Sequence, residues 1–168
     1  MRRARLWQGM PILPTEDPPL EAFGPIVPLE DLPYDDVKDG DRPLWRHAVP
    51  PLNDFATQAS PLLFGGGVFG HGMYNQDSVL YSNEAVRALR LAFKYGINAL
   101  DSSPYYFPSE FVLGRALRIL APERPRSSYF LITKCGRYGP DKHMFDYSPE
   151  RVHTSIRKSL ERLGTTYL

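Results

Sequence analysis

Gly96-Ile97-Asn98-Ala99-Leu100-Asp101-Ser102-Ser103-Pro104-Tyr105-Tyr106 is the segment on which the fold turns. Gly96 closes an amphipathic pattern, at the position where a left-handed backbone ends a helix. Ile97 to Leu100 is a short, mostly apolar run, as expected of a strand covered on both faces. Asp101 follows at once, so a carboxylate stands at the strand's carboxyl end, and Ser102-Ser103-Pro104 turns the chain away.

Reading outward, the same alternation recurs. Upstream, Leu62-Leu63-Phe64 predicts a strand running into the loop Gly65-Gly66-Gly67. Asn83-Glu84 opens a helix with Val86, Leu89, Ala92 and Phe93 on one face. Downstream, Ser109-Glu110 starts a second helix through Phe111, Leu113, Ala116, Leu117 and Leu120, stopped by Pro122 and Pro125. Tyr129 to Thr133 predicts a third strand, with Lys134 at its end. Ser148-Pro149-Glu150 has Ser at the N-cap, Pro at N1 and an acid in the first turn, the signals of a third helix that Gly164 ends. Thr165-Thr166-Tyr167-Leu168 predicts the opening of a fourth strand. Strands alternating with helices imply parallel pairing through right-handed crossovers.

The first part of the chain differs. Eleven prolines between Pro11 and Pro61 precede the first clear strand, each removing a backbone donor and biasing its predecessor away from helix. With the acidic stretch Glu30-Asp31-Leu32-Pro33-Tyr34-Asp35-Asp36, residues 1–45 read as a Pro-rich, poorly ordered leader, which Trp7, Phe23 or Trp45 would anchor to a surface if anything does. Residues 46–168 form the folded domain.

Lys and Arg number 20 against 19 Asp and Glu, a net charge of +1, so no long-range field favours nucleic acid or acidic lipid, and a small or neutral ligand is the better fit. The one cysteine, Cys135, has no internal disulfide partner, which suits a reducing compartment, with the cytoplasm as default. The opening Leu6 to Pro11 is too short and broken for a signal-peptide core, and no apolar run approaches the roughly 20 residues that cross a bilayer. His47, His71, His143 and His153 are scattered, so no metal site is expected.

In parallel α/β folds the ligand lies beyond the carboxyl ends of the strands. Asp101 and Lys134, from consecutive strands, would then face one pocket. Alone, an Asp after a strand is ordinarily a turn or cap residue and a Lys a solvated one; the longer pattern decides. The segment ending Asp101-Ser102-Ser103-Pro104-Tyr105-Tyr106, followed by Ser109-Glu110 and Leu113-Gly114, resembles the aldo-keto reductases. Phe130-Leu131-Ile132-Thr133-Lys134-Cys135-Gly136 resembles their third strand, and Ser148-Pro149-Glu150 through Leu163-Gly164 is similar to their helix before the fourth. The resemblance covers residues 60–168.

That resemblance implies a TIM-type (β/α)8 barrel, of which the first three βα units and the start of the fourth strand are present. It implies an NADP- or NAD-dependent oxidoreductase interconverting a carbonyl and an alcohol. Asp101, Tyr106 and Lys134 would be catalytic, the spacing from Asp101 selecting Tyr106 over Tyr105. Gly66, Gly67, Val68 and Asp101 would lie near the nicotinamide ribose. An ammonium beside a phenol favours phenolate and makes the phenol the stronger acid, so Lys134, held by Asp101, would assist Tyr106 in moving a proton. The loop Phe64-Gly65-Gly66-Gly67-Val68-Phe69-Gly70 and the Ser-Pro-Tyr-Tyr wording look closest to the branch acting on D-arabinose or L-galactose, with a small carbonyl compound or sugar as substrate. The family's His near the end of the fourth strand, its later strands and its adenosine-phosphate site fall outside the 168 residues, so the resemblance implies a truncated gene product, a fragment or a mis-ended gene model, expected to be inactive as given. A catalytically silent half barrel that binds a partner, and a non-enzymatic regulatory barrel, are the alternatives.

Overall fold

The structure, a computed structural model, describes residues 58–168. The leader expected over residues 1–45, with Trp7, Phe23 and Trp45, lies outside the described residues.

Strands β1 (Phe64–Gly65), β2 (Ala99–Asp101) and β3 (Phe130–Ile132) form one sheet in the order β1-β2-β3. Both pairings are parallel, Phe64 opposite Leu100 and Leu100 opposite Leu131, as the alternation of strands and helices predicts. Between the strands run a single helical turn, α1 (Asp77–Leu80), and the helices α2 (Glu84–Lys94) and α3 (Ser109–Leu120); α4 (Pro149–Leu163) follows β3. α2 packs on α3 and α3 on α4.

The apolar spacing of the helices becomes the core. Val86 and Leu89 of α2, Leu100 of β2, and Leu113, Ala116 and Leu120 of α3 are fully buried, joined by Leu131 and Leu163. Each buried leucine contributes about 1.5–3 kcal/mol relative to an exposed one, so this layer between sheet and helices is the main source of stability. Two ends behave as read: Ser148 Oγ accepts from Arg151 N at 3.4 Å with Pro149 behind it, and α4 stops at Gly164, whose φ of 68° suits glycine. Gly114 allows α4 to approach α3, since a Cβ there would lie 2.1 Å from the Arg162 carbonyl oxygen.

Two expectations are corrected. β1 begins at Phe64, not Leu62: Leu62 and Leu63 are exposed, and Ser60 Oγ donates to the Leu62 carbonyl at 2.6 Å, holding that backbone in a local turn. Thr165 to Leu168 is not a strand either. Arg126, just before β3, donates to Thr165 Oγ1 and to the Tyr167 carbonyl, each at 2.9 Å, and its guanidinium stacks 3.8 Å from the Tyr167 ring centre. These polar groups are engaged locally at the amino end of β3 rather than in a ladder with it.

Candidate active site

The carboxyl ends of β2 and β3 meet where the sequence places its two charged residues. The parallel register sets Asp101 opposite Ile132, and Ser102 N extends the ladder to the Ile132 carbonyl at 2.8 Å. Lys134, two residues past Ile132, thereby reaches back across the gap. Its Nζ lies 2.7 Å and 2.6 Å from the two carboxylate oxygens of Asp101 and 3.0 Å from the Ser102 carbonyl. With 46% of the Lys134 side chain and 28% of Asp101 exposed, the pair adds only about 0–1 kcal/mol to stability. Its main consequence is geometric: three acceptors fix the ammonium at the mouth of the sheet.

Tyr106 comes from the turn after β2. Ser103 Oγ accepts from Tyr105 N at 3.1 Å, Pro104 supplies the preset φ, and Tyr106 N bonds to the Ser103 carbonyl at 2.9 Å, giving a 3-10 turn over Pro104–Tyr106. The Lys134 ammonium sits 4.9 Å from the centre of the Tyr106 ring. Tyr105 goes elsewhere: its hydroxyl accepts from Arg137 Nη2 at 3.3 Å, beneath a guanidinium 4.2 Å from its ring centre. Asp101, Tyr106 and Lys134 are thus brought together.

The glycine loop arches over the same strand ends as a 3-10 turn, Gly66–Phe69. A Cβ at Gly66 would lie 2.7 Å from both the Asp101 carbonyl and Ser109 Oγ, so only glycine lets the loop close onto β2. Gly67 faces Tyr106, whose ring a Cβ would meet at 3.8 Å, whereas nothing comes within 4 Å of one at Gly65. Val68 is exposed. Of the expected cofactor residues, Gly66 is therefore buried structure, Gly67 lies against the Tyr106 ring, and Val68 is on the surface.

Several residues of this region escaped the sequence. Ser109, read only as a helix start, is buried; its Oγ donates to the Gly66 carbonyl at 2.7 Å and contacts Ser102 Oγ at 2.9 Å, bolting loop, strand and helix together. Glu110, read with Ser109 as the start of that helix, is buried against Arg162 of α4 at 3.2 Å and accepts from Thr133 Oγ1 at 2.7 Å. His71 is clasped between Asp77 (2.6 Å) and the Tyr81 hydroxyl (3.0 Å), and its backbone N donates to the Phe107 carbonyl at 2.9 Å, next to Tyr106. Burial, and secondarily the Asp77 carboxylate, push the Tyr81 phenol above its ordinary range. The Ser-Glu dipeptide on a helix face that turns inward was the available signal for the first two; scattered histidines carried none for the third.

Among the described residues no group of three or more His, Cys, Asp or Glu side chains gathers as a metal site would require, and no helix is long and apolar enough to cross a membrane.

Among known proteins, the chain is 43% identical over 109 residues to D-arabinose 1-dehydrogenase of Saccharomyces cerevisiae, covering 65% of this chain and 31% of that protein. It is 46% identical over 112 residues to L-galactose dehydrogenase of Arabidopsis thaliana, covering 66% and 30%. The chain thus spans about a third of the length of the curated relatives it matches. A solved structure from Pseudomonas aeruginosa, assigned to the aldo-keto reductases, superposes with a TM-score of 0.56 at 33% identity, over 71% of this chain and 44% of that one. The model of the Aldo/keto reductase family matches residues 61–168, the stretch that carries all three strand ends described above, and the chain belongs to that family.

Proposed function

We propose that residues 61–168 form the first part of a (β/α)8 barrel whose complete protein is an NAD- or NADP-dependent oxidoreductase, oxidising an aldose such as D-arabinose or reducing the corresponding carbonyl. The single observation that carries this reading is the Lys134 ammonium, held by both Asp101 oxygens and set 4.9 Å from the Tyr106 ring. It is supported by the family match and by the names of the two sugar dehydrogenases that the chain resembles.

The residues present fit a nicotinamide at this end of the sheet. The loop offers bare backbone at Gly65, opposite Asp101 in the sheet, where nothing lies within 4 Å of a Cβ position, so a ribose could approach the main chain closely there. Gly67, Val68 and Asp101 would border the ribose, and Gly66 would hold the loop in place. When bound, the nicotinamide accepts the hydride from the substrate carbon or returns it. This chain's residues handle the proton: in oxidation the Tyr106 oxygen takes it from the substrate hydroxyl, and in reduction Tyr106 gives it to the carbonyl oxygen. The phenolate that accepts the proton in oxidation, and is left behind in reduction, has the Lys134 ammonium beside its ring, and Asp101 keeps that ammonium in place.

A chimera tests this directly. Residues 61–168 would replace the matching segment of the yeast D-arabinose 1-dehydrogenase, and formation of reduced cofactor would be followed with a panel of aldoses. The expected result is aldose-dependent reduction of NAD or NADP; a folded chimera that binds cofactor yet turns over no aldose and no simple aldehyde contradicts the reading.

A further inference from the structure

We infer that Thr133 and Glu110 are positioning residues for Lys134, through a relay from the buried Arg162–Glu110 pair to the half-buried Thr133 on the helix side of the sheet. The inference rests on the proposed reading of Lys134 for its functional meaning, and on the geometry alone for the coupling.

Glu110 and Arg162 are each only 2% exposed, and both Glu110 oxygens are occupied: Oε2 accepts from Arg162 Nη1 at 3.2 Å and Oε1 from Thr133 Oγ1 at 2.7 Å. Two charges taken out of water contribute little net stability compared with apolar residues of the same volume, and such pairs are best explained by the arrangement that they specify. Here the arrangement has three members on three elements: Glu110 on α3, Arg162 on α4 and Thr133 just past β3. The Arg162 guanidinium is held from a second side by the Phe111 ring, 5.0 Å away.

Successive side chains along an extended strand point to opposite faces. Thr133 reaches Glu110 in the helix layer, and the next residue, Lys134, reaches Asp101 at the end of β2. Anchoring one hydroxyl on the helix side therefore fixes the direction in which the neighbouring ammonium leaves the strand. Without that anchor, the Lys134 side chain would be held through its ammonium, by Asp101, the Ser102 carbonyl and the face of the Tyr106 ring.

The test is competitive acetylation of the full chain with trace acetic anhydride at fixed pH, read lysine by lysine by mass spectrometry, with Lys142 and Lys158 as internal standards. Asp101→Asn should raise Lys134 labelling, which calibrates the readout. Thr133→Val should raise it several-fold relative to the standards, and Thr133→Ser, which keeps the hydroxyl, should return it to the wild-type value. Glu110→Gln provides a second route should the valine variant not fold. Unchanged Lys134 labelling in the folded Thr133 and Glu110 variants, with Asp101→Asn raised, overturns the inference, as does an equal rise at Lys142 and Lys158. Either result leaves the chemistry proposed for Tyr106 untouched, because that stands on turnover rather than labelling.

Discussion

Gly66 has no room for a single methyl group. Its would-be Cβ meets a backbone carbonyl and a buried hydroxyl, neither of which is the free end of a flexible chain. Gly66→Ala should therefore cost about 1–3 kcal/mol, the range for overpacking, seen as a lower urea midpoint, whereas Gly65→Ala, facing open space, should cost far less. Tyr129 provides a second residue-level expectation. Burial pushes its phenol up by more than the Arg126 guanidinium pulls it down. A folded-state value above the unfolded one means stability that is full below about pH 10 and is lost as pH rises through the folded value. Chemical denaturation between pH 9 and 11 should show this alkaline loss, and Tyr129→Phe should reduce it. At this scale the sequence was informative where chemistry stands at a strand end. Asp101 and Lys134 could be paired from the order of the strands. Thr133–Glu110 could not, because hydrogen bonds between residues 23 apart leave no period in the chain.

Among the elements, α3 has the most to do. Its Leu113, Ala116, Leu117 and Leu120 face the core, Ser109 bolts the glycine loop, Glu110 takes Thr133 and Arg162, and Gly114 admits α4. Apolar periodicity revealed the helix and its buried face. The same periodicity treats the first turn as a solvated end, so the burial of Ser109 and Glu110 came as a result of tertiary packing. Glu110→Ala would remove the buried carboxylate that Arg162 and Thr133 share and should destabilise by about 3–5 kcal/mol, measured by thermal or urea unfolding; Leu113→Ala should cost about 2–5 kcal/mol through lost burial and a cavity. Near-neutral stability in Glu110→Ala would show that the remaining contacts of Arg162 carry its charge without the carboxylate. The strand ends show the opposite error: β1 was read two residues too early because Leu62 and Leu63 are as apolar as a strand requires, yet both are exposed.

For the molecule as a whole, the parallel order β1-β2-β3 with helices between the strands was legible, since alternation of periods 2 and 3.6 leaves few topologies. The meeting of Asp101 and Lys134 followed from that order, because the carboxyl ends of parallel strands share one rim. Closure into a barrel is a proposal that depends on strands outside the described residues. The central claim, that Tyr106 moves the proton with help from Lys134, is tested most directly in the chimera with yeast D-arabinose 1-dehydrogenase by comparing Tyr106→Phe with Tyr105→Phe. Both substitutions keep the ring and remove only the hydroxyl. The account predicts that Tyr106→Phe lowers kcat at least ~100-fold, the low end for general acid–base catalysis, while Tyr105→Phe leaves it within a few-fold of the unsubstituted chimera. An active chimera whose kcat is indifferent to Tyr106→Phe would contradict it.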